Sequence, residues 1–293
     1  MKLKRDGDRE PYGTNGNKAV IKVILALVFA VVSIVGAILL AMLINDVTGW
    51  NLNIIEFLGR CIISVTAFIF LGGISWLRFD KEAIKKTWKF VLPLVLINIV
   101  LGVLLALSGF MSKDTNAGIS IDGMKQIPYN TLLMALVGIN EEAIFRGLLL
   151  GGLLLLFGKK KNGVLWAAII SSIVFGLIHV VFDLDFSNIS TILSGMMKIL
   201  ETTMFAIVWC YCVLKYKNLI GAMTAHAFFD WIVVVGTLLS GSGMSTNYVT
   251  DDPKKAIFQC VFFGLIALLY LPRTIKAVKG IKALGPISGP FAE

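Results

Sequence analysis

The sequence predicts an all-α fold, a polytopic membrane protein built as an eight-transmembrane-helix bundle around an intramembrane polar cavity. Three observations predict it. Of the 293 residues, 57% are hydrophobic and only 15% charged, with a mean hydropathy of +0.84, more apolar surface than a soluble domain can bury. Apolar runs of about 20 residues, the length that spans a bilayer, recur along the whole chain. The basic residues alternate between the connecting segments: one side collects 20 Lys and Arg and the other five, the asymmetry that marks a cytoplasmic face. Backbone groups cannot stay unpaired in lipid, so the spans must be helices, and the alternation of a lipid-facing β-barrel is absent.

Taken in order, a polar, basic stretch (1–17) precedes span 1 (20–44), which is too long for a signal-peptide core and lacks a small-residue cleavage site, so it reads as a retained span. Span 2 covers 57–77. The next connection, 78–89, sets Phe79, Ile84 and Trp88 among basic residues, and reads either as an interfacial amphipathic segment or as a solvated basic loop. Span 3 (88–110) leads into a polar loop (112–126). Span 4 covers 130–157, and the Lys159–Lys160–Lys161 turn follows it. Spans 5, 6 and 7 cover 163–182, 189–214 and 218–240, and a second polar loop (241–255) precedes span 8 (256–272). The Gly- and Pro-rich tail, 285–290, is expected to be disordered. Both termini fall on the basic-rich, cytoplasmic side.

Several function classes drop out. The net charge of +9 is spread over short loops as a topology signal, so no nucleic-acid partner is expected. Cys61, Cys210, Cys212 and Cys260 all lie in apolar runs and read as structural thiols; Cys210 and Cys212 form C-x-C but have no matching second pair for a metal. There is no internal repeat, P-loop or GxGxxG.

The informative exception to the apolar pattern is Asn140-Glu141-Glu142-Ala143-Ile144-Phe145-Arg146, inside span 4. A charge at a helix centre costs roughly 2.5–3.5 kcal/mol. Three would cost about 8 kcal/mol unless the fold compensates, so the cluster marks a functional site. The chain has only two histidines, and both lie in spans. Phe175 and His179 are i,i+4, as are His226 and Asp230, so each pair shares a helix face. Glu142 and Arg146 share the same spacing and read as an internal ion pair, while Glu141 points about 100° away and is the candidate for chemistry. Lys198 and Glu201 read as a structural pair, and Asp183 and Asp185 as solvated loop residues. The set suits hydrolysis: a carboxylate takes a proton from water, and imidazoles orient that water, protonate a leaving amine or stabilise an oxyanion. Two histidines and a carboxylate are equally a catalytic zinc set, so a divalent metal held through Glu141, His179, His226 and Asp230 is left open beside a metal-free site.

These motifs, EExxxR (141–146), FxxxH (175–179) and HxxxD (226–230), occur in this order on spans 4, 5 and 7. In this the chain resembles the CPBP family of intramembrane metalloproteases, the CAAX-protease and bacteriocin-processing endopeptidases related to the Ras-converting enzyme. The resemblance covers roughly 130–235. It divides the chain into three N-terminal spans (1–125), a CAAX-protease-like catalytic core (126–240), and a last span with its tail (241–293). It implies an intramembrane endopeptidase of a bacterial cell membrane acting on a membrane-associated, prenylated or peptide substrate. In that reading Glu141 activates water, His179 assists, His226 and Asp230 complete the site, and Glu142, Arg146 and Phe175 support it. Asp230 departs from the Asn of the prenyl-protein relatives, and a carboxylate repels an oxyanion unless it is protonated or metal-bound. Two other readings accommodate intramembrane ionisable groups. One is a proton-coupled transporter, against which stands the lack of an inverted repeat or paired broken spans. The other is a proteolytically silent bacteriocin-immunity or scaffold protein.

Overall fold

A computed structural model of the chain describes residues 14–49, 51–111, 119–241 and 248–292. The order is α1 (Thr14–Thr48), α2 (Leu52–Phe70), α3 (Lys81–Met111), α4 (Ile121–Glu141), a π-helical segment (Glu142–Leu149), α5 (Leu150–Phe157), α6 (Gly163–Ile178), α7 (Ile189–Tyr216), α8 (Leu219–Leu239) and α9 (Pro253–Ala283), with 3-10 turns at Gly73–Leu77 and Pro290–Ala292. The described residues contain no strand. Because α4, the π segment and α5 run on without a break, the described residues form eight rods, the number the hydropathy pattern predicts.

Six of the rods, α1 to α3 and α7 to α9, are long and apolar enough to cross a membrane. The fourth rod carries the charged cluster, and α6 is a shorter apolar helix. Large apolar side chains face outward: Leu39 and Leu43 on α1 are 62% and 63% exposed, and Phe258 and Leu268 on α9 67% and 63%. A soluble monomer rarely leaves such continuous apolar surface bare; in a bilayer it is the lipid-facing side.

Side-chain caps set where most rods begin. Asn51, Ser120, Asn188, Asn218 and Asp252 each accept a hydrogen bond from a backbone N–H in the first turn of α2, α4, α7, α8 and α9, and Pro253 opens α9, where its missing N–H costs nothing. Within the bundle α8 lies against both α3 and α4, α7 against α6 and α9, and α1 on α2. Small residues let the backbones approach, as in membrane helix packing generally. A Cβ on Gly138 would lie 2.7 Å from both the Cβ and the backbone nitrogen of Ala227, so α4 and α8 touch one turn before Glu141 and directly beside His226.

The structure corrects several expectations. Most of the basic segment 78–89 is helical rather than a loop: α3 begins at Lys81, capped by Asp80 through the Glu82 and Ala83 N–H groups. The fifth span ends at Ile178, four residues early. At about 1.5 Å per residue its 16 residues reach about 24 Å, short of a hydrocarbon core of about 30 Å. The tail is ordered rather than loose: Gly285 and Gly289 turn with positive φ, and Phe291 is 1% exposed, edge-on to Phe68 at 5.5 Å between ring centroids. The N-terminal polar stretch through residue 13, and 112–118 and 242–247 of the two polar loops, lie outside the described residues. The four cysteines are free, three of them buried, Cys61 and Cys210 with hydrogen-bond partners.

Candidate active site

The charged cluster sits where the fourth rod changes pitch. A π segment widens the helix, leaves backbone groups less regularly paired, and is common at functional sites. Here it carries Glu142 to Leu149 directly after Glu141. Glu142 and Arg146 are fully buried, with Arg146 Nη1 3.0 Å from Glu142 Oε1. The contact is an ion pair by distance rather than an aligned hydrogen bond, and Arg146 Nε and Nη2 and Glu142 Oε2 have no hydrogen-bond partner among the described protein atoms. The guanidinium lies over the Phe175 ring, 4.2 Å from its centroid, a cation–π contact strengthened by burial.

His226, 2% exposed, is the hub. Its Nδ1 donates to Glu142 Oε1 at 2.7 Å. Its Nε2 lies 3.6 Å from Glu141 Oε2 and 3.4 Å from Asp230 Oδ2. Nε2 thus faces two carboxyl groups at once, so a proton held there is shared among Nε2, Glu141 and Asp230. Exposure is graded across the cluster: the Glu141 and Asp230 side chains are 20% and 32% exposed, whereas Glu142 is 0%. Glu141 and Asp230 therefore form its open side, and Glu142 with Arg146 its closed side.

The second histidine stands at the end of α6. His179 is the residue after the last helical one, and its Nδ1 donates to the Phe175 carbonyl at 2.7 Å, leaving Nε2 as the acceptor. The Phe175 ring is edge-on to both histidines, 4.7 Å from His179 and 5.9 Å from His226 between centroids. Beyond His179 the chain runs through an irregular stretch, to residue 188, before α7 begins.

All seven residues singled out in the sequence thus gather on three rods. Glu142 does more than pair with Arg146: it is the residue that fixes the orientation of His226. Three neighbours escaped the sequence reading. Phe205 and Trp209, i,i+4 on α7, wall in His226 at 5.0 and 5.9 Å; their helical spacing is the signal, but it is indistinguishable from ordinary core packing. Tyr248, from the segment before α9, stands 6.5 Å from the His179 ring and has the Lys198 ammonium 4.3 Å over its face. Lys198 pairs with Glu201 at 2.9 Å as expected. Asp183 and Asp185 are exposed, and the Ser187 hydroxyl and N–H hold the Asp185 carboxyl below its usual range.

Among the described residues no group of three or more His, Cys, Asp or Glu side chains is arranged to hold a metal ion, and no step below runs through one.

Fold and site together define a polytopic helical membrane protein with a carboxylate–imidazole cluster inside its bundle. Residues 124–232 match the Rce1-like family, described as type II CAAX prenyl endopeptidase, in agreement with the CPBP resemblance over that segment. Comparison with curated proteins finds no match.

Proposed function

We propose that the chain is an intramembrane endopeptidase that cleaves a membrane-associated peptide by metal-free hydrolysis. The observation that carries this reading is the convergence of Glu141, Glu142 and Asp230 on the single imidazole of His226, beside His179 and at the half-open side of the bundle. Glu141 takes a proton from water, and the resulting hydroxide attacks the scissile carbonyl carbon. The carbonyl electron pair moves onto oxygen, facing the proton shared between His226 and Asp230. That proton resolves the difficulty of an aspartate at this position, since it lets the pair donate to the oxyanion rather than repel it. Collapse of the intermediate breaks the C–N bond, and the leaving nitrogen takes the proton first removed by Glu141. His179, with Nε2 as acceptor, orients the water. Glu142 and Arg146 hold His226 still and do not touch substrate. The family matched by residues 124–232 supports a peptide with a prenylated cysteine near its C-terminus as the first substrate to try.

The test uses full-length protein in proteoliposomes with an internally quenched peptide carrying a farnesylated cysteine three residues from its C-terminus, and in parallel a membrane-peptide digest. Glu141→Gln and His179→Ala should each lower kcat by a factor on the order of 10² to 10⁴ while melting as the unaltered protein does. Full activity in either variant removes the mechanism, and unaltered protein that cleaves neither substrate removes the function.

A further inference from the structure

The turn between α5 and α6 is tight. Lys160 N–H bonds the Phe157 carbonyl at 2.8 Å, Gly163 N–H bonds the Lys160 carbonyl at 2.9 Å, and Asn162 takes a left-handed conformation at φ 58. The turn therefore presents Lys159, Lys160 and Lys161 side by side, all exposed. Opposite it, α9 ends, Gly285 reverses the chain at φ +70, and Ile287 N–H bonds the Gly158 carbonyl at 3.1 Å. Between the two walls is a cavity of about 250 Å³ whose lining includes the three lysines, Lys282, Gly285 and Pro286, and no Asp or Glu. It adjoins a second cavity of about 210 Å³ that shares Lys160, Lys161 and Gly163 but is otherwise lined by Phe157, Trp166 and Ile170. Trp166 is 57% exposed, in the manner of interfacial tryptophans.

A cationic chamber continuous with an apolar strip has the polarity pattern of one amphiphile. We infer that this corner binds a single anionic glycerophospholipid, its phosphate among the four lysines and an acyl chain along Phe157, Trp166 and Ile170. Four ammonium groups without a carboxylate select negative charge, and the start of α6 adds the positive end of a helix dipole. The apolar half selects a lipid over a free anion. The lysines lie on the basic-rich side of the chain, which faces the leaflet where anionic lipids attract such segments. None of these residues belongs to the site around His226, so the inference stands whether or not the chain cleaves peptides.

Delipidated full-length protein in neutral detergent is titrated with palmitoyl-oleoyl phosphatidylglycerol, palmitoyl-oleoyl phosphatidylcholine or inorganic phosphate, and bound lipid is counted by native mass spectrometry. One phosphatidylglycerol should bind at least about tenfold more tightly than phosphatidylcholine. The triple variant Lys159→Gln, Lys160→Gln, Lys161→Gln should lose on the order of a hundredfold, and Lys282→Gln alone about fivefold. Trp166→Ala should weaken binding several-fold. A control triple at Lys81, Lys85 and Lys86, also on the basic-rich side, should leave binding unchanged. Equal binding of the two lipids, an equal loss in the control triple, or no loss in Trp166→Ala overturns the inference. So does displacement of the lipid by equimolar phosphate, which would mark a plain anion site.

Discussion

Glu142 holds two partners at once, Arg146 through an ion pair and His226 through a hydrogen bond, with no water-facing surface to share the load. Removing one member of a buried charged pair leaves the other uncompensated and costs about 3–5 kcal/mol. Glu142→Ala should therefore lower the melting temperature clearly and abolish cleavage, whereas Glu141→Gln, at the half-open side, should abolish cleavage without a change in melting. Melting curves of both variants in detergent check this, and a Glu142→Ala protein as stable as the unaltered one would contradict it. Asp230 allows a sharper distinction. Asn at this position can donate to an oxyanion without a shared proton, so Asp230→Asn should keep kcat within about tenfold, while Asp230→Ala should lose about 10² to 10³. If the two variants lose equally, Asp230 does not face the oxyanion. The sequence marked these residues because a charge in an apolar run has no inexpensive alternative. It did not show that Glu142 rather than Glu141 takes the Nδ1 proton of His226, since which carboxylate meets the ring depends on helix rotation, and the π segment changes that rotation without leaving a compositional trace.

Among the elements, the approach of α4 to α8 does most to assemble the site. Gly138 sits against Ala227, next in sequence to His226, so the separation of these two backbones sets the distance from Glu141 and Glu142 to the imidazole. Adding a Cβ at 2.7 Å from a backbone nitrogen forces the helices apart, and overpacking of this kind costs about 1–3 kcal/mol. Gly138→Ala should therefore reduce activity far more than its loss of thermal stability suggests. Because the obstruction is backbone as well as side chain, Ala227→Gly should not rescue it. Restoration of full activity by that second change would show that only the two Cβ atoms had clashed. The short α6 was legible as an apolar run, but its early end was not: Val180, Val181 and Phe182 extend the hydropathy past the point where the helix stops, and only the chain's turn at His179 reveals it.

At the scale of the whole molecule, eight rods followed from hydropathy and from the alternation of basic loops, whereas the docking of the tail did not. Phe291 is one aromatic residue after a Gly- and Pro-rich stretch, with no periodicity to announce a buried position. Yet its ring packs on Phe68 of α2, its carbonyl accepts from Lys22 of α1 at 2.5 Å, and Gly151 of α5 leaves room for it, since a Cβ there would come within 2.7 Å of the ring. Phe68 in turn lies 3.1 Å from where a Cβ on Gly147 would stand, inside the π segment. The tail therefore ties α1 and α2 to the far end of the rod that carries Glu141, Glu142 and Arg146, and its loss should be felt in the site although no described tail residue reaches it. Truncating a buried aromatic ring costs about 3–5 kcal/mol. Phe291→Ala should lower the melting temperature and reduce kcat, while Phe291→Leu, which keeps much of the volume, should recover most of both. Melting and peptide cleavage measured on the same preparations decide the matter: a Phe291→Ala protein that melts as the unaltered chain does would mean that the tail merely rests on the bundle rather than bracing it.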